Sequence, residues 1–246
     1  MMNKISICVP VYEMKNGQSP LFLTEYFESL LHQTYNNFDI VVSDQSDSER
    51  LRAICQDYQK TLDIKYYVNN GSIKNAAANV NFATKHATGD IIKLLYMDDF
   101  FVTNHALEKI NHAFNTNPGQ WLICGFTHCN EDKSTCFDTR LPSYPNKYVN
   151  GDNTTGNPST YAVRRESLIP MDENLLWVVD GEYFYRSYHY YGDPIIINDI
   201  LVCFREHTSS AFRDPNLNRL EREERLYCTE KYNKMLPIVH QHIMRI

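Results

Sequence analysis

Residues 89–101 read GDIIKLLYMDDFF, and the two acids near the end of that stretch, Asp98 and Asp99, decide how the rest of the chain is understood. Ile91, Ile92, Leu94 and Leu95 form an apolar run too short for a helix and preceded by the turn signal Gly89-Asp90, so the pattern predicts a buried strand. Asp98 and Asp99 then follow its carboxyl end, the side on which open α/β sheets gather their ligands. Adjacent carboxylates repel each other unless a cation or donors compensate them. Hard oxygen ligands suit Mg2+ or Mn2+, and such an ion commonly uses one or two protein carboxylates while a substrate diphosphate fills other positions. The competing role is structural: either acid would serve as the N-cap of a helix through Ala106, Leu107, Ile110 and Phe114. Spacing alone leaves both open.

Working back toward the N-terminus, Lys4 to Val11 (KISICVPV) is a β-branched run of the kind found in buried parallel strands, and it delivers Tyr12 and Glu13 at its carboxyl end. Leu21, Leu23, Tyr26, Phe27, Leu30 and Leu31 recur at helical spacing. Phe38 to Ser43 is the next strand and places Asp44 at its end; Asp47 or Ser48 then precedes a helix carrying Leu51, Ile54 and Tyr58. Ile64 to Val68 predicts a third strand, and the alanine-rich Asn75 to Thr88 a helix stopped at Gly89. This alternation of strand and helix predicts a doubly wound α/β sheet with right-handed crossovers.

Beyond the acids, Trp121 to Phe126 reads as a strand, and Asp138 to Gly156 as a long polar loop of the kind used for lids and binding loops. Thr160 to Val163 is a short strand. Glu173 to Val179 leads into Asp180-Gly181-Glu182, followed by a helical face with Tyr183, Phe184 and Tyr188. Ile195 to Ile197 and Ile200 to Phe204 are two further apolar runs, and the charged, leucine-bearing stretch from Asn218 predicts terminal helices broken near Pro237.

A chain of 246 residues can bury one sizeable core. Its formal charge of −6, with both signs dispersed, argues against a nucleic-acid partner. MMNKISICVPVY lacks the apolar region of a signal peptide, and no segment reaches the ~20 apolar residues of a membrane span, so the expectation is a cytoplasmic protein, with peripheral membrane contact as the remaining option. Seven scattered cysteines with no CxxC pair fit a reducing compartment. Cys124, His128, Cys129 and Cys136 cluster, but their spacing matches no regular zinc pattern. Seventeen tyrosines would suit a sugar-binding cleft and would equally fill a core.

The segments ISICVPVYE, SLLHQTYNNFDIVVSDQSDSE, NAAANVNFATKHATGDIIKLLYMDDFF and WVVDGEYFYR occur in the order and at the spacing of family 2 glycosyltransferases, which the chain resembles from about Ile5 to His207. The resemblance implies a GT-A fold: a Rossmann-like doubly wound mixed sheet in a single domain with a C-terminal helical tail. It divides the chain into a glycosyltransferase domain over residues 1–215, whose nucleotide-binding half ends near 101 and whose acceptor half spans 102–215, and a tail over 216–246. It assigns the nucleotide base to Asp44, the metal and donor diphosphate to Asp98 and Asp99 with His207, and the catalytic base to Asp180, with Glu182 in reserve. Pro10, Tyr12, Glu13, Asn79, Arg205 and Arg213 are the remaining donor-side candidates, the two arginines as neutralisers of phosphate charge. One departure is visible: the D-x-D triplet of many members would place its first acid at Tyr96.

The implied activity is metal-dependent, inverting transfer of a sugar from a nucleoside diphosphate sugar, with uridine as the expected base, to a hydroxyl of a glycan or other acceptor during glycan or polysaccharide assembly. Mn2+ or Mg2+ is the implied cofactor. Tyr96 keeps alive a different class, a non-catalytic nucleotide-sugar or glycan-binding protein on the same fold, against which the retained Asp180 counts. A dinucleotide-dependent oxidoreductase would need a G-x-G-x-x-G turn where this chain has VPVYEMKNG.

Overall fold

The computed structural model describes residues 2–144, 155–210 and 215–243, with side chains described as far as Tyr232 in the last segment. In chain order the elements are β1 (Ile5–Val11), α1 (Ser19–Leu31), β2 (Phe38–Asp44), α2 (Arg50–Tyr58), β3 (Ile64–Val68), α3 (Ala76–Lys85), β4 (Ile91–Leu94), β5 (Phe100–Phe101), α4 (Ala106–Thr116), β6 (Trp121–Cys129), β7 (Cys136–Arg140), β8 (Tyr161–Arg164), α5 (Val179–Tyr191), β9 (Ile195–Arg205) and α6 (Leu217–Ile243). The sheet runs β3-β2-β1-β4-β8-β6-β9-β5, with β7 on the free half of β6. Its first four strands are parallel, and β8, β5 and β7 pair antiparallel with their neighbours. The expected doubly wound mixed sheet is therefore the fold observed.

The chain leaves β1 for β2 and β3 on one side and returns to β4 on the other, so the sheet switches direction between β1 and β4. That switch point opens a crevice at the strands' carboxyl ends, bounded by Val11-Tyr12 and by Asp98. β1 is buried along its whole length, as its unbroken apolar pattern requires of a central strand covered on both faces. One core forms beneath Phe22, Tyr26, Phe27, Leu51 and Ile110 of α1, α2 and α4. The other forms beneath Ala77, Val80, Tyr183, Phe184, Cys228 and Tyr232 of α3, α5 and α6.

Several local expectations are revised. α3 starts where Asn75 accepts the Ala78 amide, but it ends at His86, before Gly89. Gly89 serves packing instead: a Cβ there would lie 2.5 Å from the Ser6 nitrogen and 2.7 Å from the Lys4 carbonyl oxygen, so only glycine lets the chain pass β1 this closely. Neither Asp98 nor Asp99 caps α4, whose N-cap is His105, because the short strand β5 intervenes. The two runs at 195–204 belong to one strand, β9, which bulges opposite Gly125. α6 continues through Pro237, where a break was expected; a proline inside a helix removes one backbone bond and can kink the helix without ending it.

Candidate active site

Asp98 sits on the turn after β4 with its side chain 31% exposed, facing the buried His207 that follows β9. The Ser209 amide donates to His207 Nδ1 (3.2 Å), which leaves the ring proton on Nε2, from where it reaches Asp98 Oδ2 (3.1 Å). Asp99 points the other way. It is 2% exposed, and its Oδ2 accepts from Ser159 Oγ (2.6 Å) and Asn157 Nδ2 (2.8 Å) while the Arg205 amide approaches Oδ1 (3.4 Å). Burial, and next the charge of Asp98, hold the Asp99 carboxyl well above the usual carboxylate range. Of the two acids expected to share the metal, both line the cleft, but Asp99 spends its Oδ2 on fastening the Asn157–Ser159 turn, whereas Asp98 is the more exposed and offers its charge to the cleft.

Asp98 supplies a hard carboxylate oxygen; His207 Nε2 carries the ring proton in this arrangement and would join Asp98 as a ligand only after that proton moved to Nδ1, displacing the bond from the Ser209 amide. Among the described residues no group of three His, Cys, Asp or Glu side chains is arranged to hold an ion, and the cysteine cluster forms no such site. The Asp98 carboxylate fits the pattern of Mg2+ or Mn2+ sites, which leave most positions to water and phosphate; a His207 nitrogen freed of its proton would favour Mn2+. Tyr96, in place of the first acid, lines the same cleft; burial, then the charges of Asp180, Asp99 and Asp98, raise its phenol well above the usual value. Tyr12 lies near Asp98, which adds to the effect of partial burial in raising its phenol.

Asp44, buried at the end of β2, accepts from the Ser46 amide (2.7 Å) and from the Tyr66 hydroxyl (2.5 Å). Each carboxylate oxygen keeps a second lone pair, so a base N–H remains acceptable to it. Pro10 is a buried member of β1 opposite Ser43. Glu13 is tied to the start of α2 through Ser48 and Arg50 Nη1 (2.7 Å). Asn79 is turned inward: its amide donates to the Val11 carbonyl (3.0 Å) and its oxygen accepts from Ser43 and from Asn69 Nδ2 (3.2 Å), so it joins the ends of β1, β2 and β3 instead of reaching a ligand. Arg205 is likewise committed. Its guanidinium lies over Phe22, 4.3 Å from the ring centre, and pairs with Glu25 (2.5 Å), which consumes the charge expected to meet phosphate. Arg213 falls outside the described residues.

Asp180 lies in the first turn of α5 and shares with Asp98 and Tyr96 a cleft of about 740 Å³. It is half-buried, no donor among the described residues reaches its carboxylate, and burial pushes its carboxyl up from 3.8 to about 7. A capping role does not fit, since α5 begins at an N-cap, Val178, without any side-chain cap bond of its own. Glu182 is corrected as the reserve base. It is buried and fully engaged, accepting from Arg186 Nε (2.7 Å) and Nη2 (2.8 Å), Lys231 Nζ (2.6 Å) and the Tyr232 hydroxyl (2.5 Å). Glu182→Ala would strand these buried cations, so it is expected to cost about 3–5 kcal/mol, read from the urea midpoint. A midpoint equal to wild type would show that the cluster contributes nothing.

Sequence reasoning missed the cleft wall formed by Trp177, Tyr185 and, from α6, Arg225 and Tyr232. The many tyrosines divide: Tyr26, Tyr161 and Tyr183 are core, whereas Tyr96, Tyr185 and Tyr232 face the cleft. The start of the expected lid forms β7, and residues 145–154 lie outside the described set. No helix among the described residues is long and apolar enough to cross a membrane.

A mixed sheet with paired acids at its switch point and a second carboxylate across the crevice is the GT-A fold. S. aureus TarS, solved with UDP-GlcNAc, superposes at a TM-score of 0.68 with 19% identity, over 86% of this chain and 61% of that one. The mannosyltransferase PcManGT from Pyrobaculum calidifontis, solved with GDP-Man and Mn2+, superposes at 0.64 with 16% identity, over 98% and 69%. The family model for glycosyl transferase family 2 matches residues 6–170, and the chain belongs to that family. Among curated relatives, the GalNAc(5)-diNAcBac-PP-undecaprenol beta-1,3-glucosyltransferase of Campylobacter jejuni is 26% identical over 126 residues, covering 50% of this chain and 39% of that protein. The uncharacterized glycosyltransferase EpsJ of Bacillus subtilis is 28% identical over 144 residues, covering 57% and 39%. These matches span about two-fifths of the relatives' own length.

Proposed function

We propose that the protein is an inverting, metal-dependent glycosyltransferase that moves a sugar from a nucleoside diphosphate sugar, a UDP-sugar in the first instance, to the hydroxyl of a glycan or other acceptor in glycan or polysaccharide assembly. The observation that carries this reading is Asp180: a carboxylate free of partners among the described residues, raised to about 7, in the cleft that also holds Asp98. That value is matched to proton transfer near neutrality. Asp180 takes the proton from the acceptor hydroxyl as its oxygen bonds to the anomeric carbon, and the bond from that carbon to the diphosphate breaks with its electron pair leaving on the phosphate oxygen. Attack from the side opposite the diphosphate inverts the anomeric centre. Asp98, joined by His207 once its Nε2 is deprotonated, would hold a divalent ion, which would supply positive charge beside the departing diphosphate. Asp44 accepts from the base. The UDP-GlcNAc bound by TarS favours uridine, and the GDP-Man and Mn2+ of PcManGT support metal use.

The test is a thermal-shift screen of UDP, GDP, CDP and dTDP with and without Mn2+. A ligand that binds only the native state at ~100 times its Kd stabilises by about 2.7 kcal/mol, so UDP with Mn2+ is expected to raise Tm by several degrees and UDP alone by much less. No shift with any nucleotide would sink the donor assignment. A shift to UDP-Mn2+ without turnover of any UDP-sugar would favour a binding protein over an enzyme.

A further inference from the structure

We infer that Glu224, on α6, is a positioning residue for Asp180. The inference rests on the reading of Asp180 as the general base. Asp180 receives no hydrogen bond from a described side chain, so among the described residues its carboxylate is placed by the backbone of the first turn of α5. The chain's own sequence does little to fix that turn, because the N-cap is Val178 and caps nothing. What holds the N-cap residue itself is a side chain 46 positions further along the chain. The Glu224 carboxylate accepts three consecutive amides, from Leu176 (2.7 Å) on Oε1 and from Trp177 (2.9 Å) and Val178 (2.8 Å) on Oε2.

An ionised carboxylate on the N-cap amide and the two amides before it makes charge-assisted bonds close to the positive end of the helix dipole. The Glu224 carboxylate is also buried, so water does not substitute for it. The segment it grips has no strand or helix of its own. At its other end α3 holds it: the Met171 amide donates to Asn81 Oδ1 (2.7 Å), and Asn75 Nδ2 donates to the Glu173 carbonyl (2.8 Å). Between those anchors and α5, Glu224 is what meets the last three amides before the helix. Leu176, Trp177 and Val178 line the cleft beside Asp180, so the grip sets the acceptor-side wall as well.

Docking of α6 does not depend on this contact. Lys231 bridges Asp172 (2.7 Å) and Glu182 (2.6 Å), and Tyr227 donates to Asp172 (2.8 Å). Glu224→Gln therefore leaves the helix in place. It removes the charge and points an amide N–H at backbone donors that need an acceptor, which shifts the start of α5 without opening a cavity.

The experiment compares wild type, E224Q, D180N and E224Q/D180N, with turnover read as UDP released from a UDP-sugar with glycerol or water as the acceptor, alongside donor Kd and Tm. Misplacing a catalytic group by about an ångström costs up to ~100-fold, so E224Q is expected to lower kcat by ~10–100-fold with donor Kd within ~2-fold of wild type. In the D180N background the same substitution is expected to cost under ~3-fold, since the group it positions is already gone. A role in stability alone would lower Tm, leave kcat below the transition, and act equally in both backgrounds. Unchanged kcat in E224Q beside a crippled D180N overturns this inference alone. An equal loss from E224Q in both backgrounds overturns it too. Full turnover in D180N removes the base assignment and this inference with it. Should E224Q fold poorly, E224D keeps the charge on a shorter arm, and the same loss of kcat at unchanged donor Kd is expected.

Discussion

Asp180→Asn is expected to slow sugar transfer by ~10²–10⁴-fold while donor affinity stays within a factor of about two, because a general base acts in the transition state and not in donor binding. The amide keeps the size and shape of the acid and removes its basicity. The wild-type rate should also depend on pH in a defined direction. The base must be ionised, so kcat/KM is expected to fall as pH drops through about 7, where burial has placed the Asp180 carboxyl. Linkage gives a companion result of opposite sign. A carboxyl raised from 3.8 unfolded to about 7 folded favours the folded state fully below pH ~4, and that contribution is lost as pH rises through 7. Asp180→Asn has no such loss, so its Tm should exceed that of wild type at pH 8 and approach it near pH 4. A residue that slows the reaction when replaced and stabilises the fold by leaving is a functional one. A helix cap would behave in the reverse way, costing stability and sparing the rate.

Asp98→Asn is expected to abolish the Mn2+-dependent part of nucleotide binding. Its oxygen can still accept from His207 Nε2, so the buried imidazole keeps a partner and the fold is retained. What is removed is the carboxylate charge that the Asp98–His207 pair presents to the cleft. Groups that merely support a metal ligand already contribute ~10–100-fold to affinity, so loss of the ligand's charge should cost at least that. Titration of UDP with and without Mn2+ reads the effect: the variant should bind UDP equally in both conditions. If Mn2+ strengthens UDP binding in the variant as much as in wild type, the ion is held elsewhere, and Asp99 would return as its ligand.

The sheet was legible because β1, β2 and β4 are short, largely apolar runs, as burial on both faces requires, while β3, at the sheet edge and only partly buried, still shows a β-branched and aromatic run. The same logic put Asp44 and Asp98 at or just beyond strand ends, whereas Asp180, in the first turn of α5, was singled out only by the resemblance to family 2 glycosyltransferases. That logic could not separate Asp98 from Asp99, since adjacent acids differ only in which way the turn aims them, and that depends on Asn157 and Ser159 some sixty positions later. Asn79 and Arg205 carried the right chemistry but found partners inside the protein, a pairing no local pattern reports. β5, two residues long, is below the length at which alternation can be seen. Glu224 was the deepest miss. In sequence it is one acid among many on a charged helix, a pattern that ordinarily marks a solvated face, and only the fold turns it onto the amides before α5.

The proposed reaction is a single displacement in which the acceptor, activated by Asp180, attacks opposite the departing diphosphate. The anomeric configuration of the product tests it most directly. With an α-linked UDP-sugar as donor and methanol or a glycan as the acceptor, proton NMR of the glycoside formed should show the β anomer from wild type. An α-glycoside would mean retention and would contradict the account.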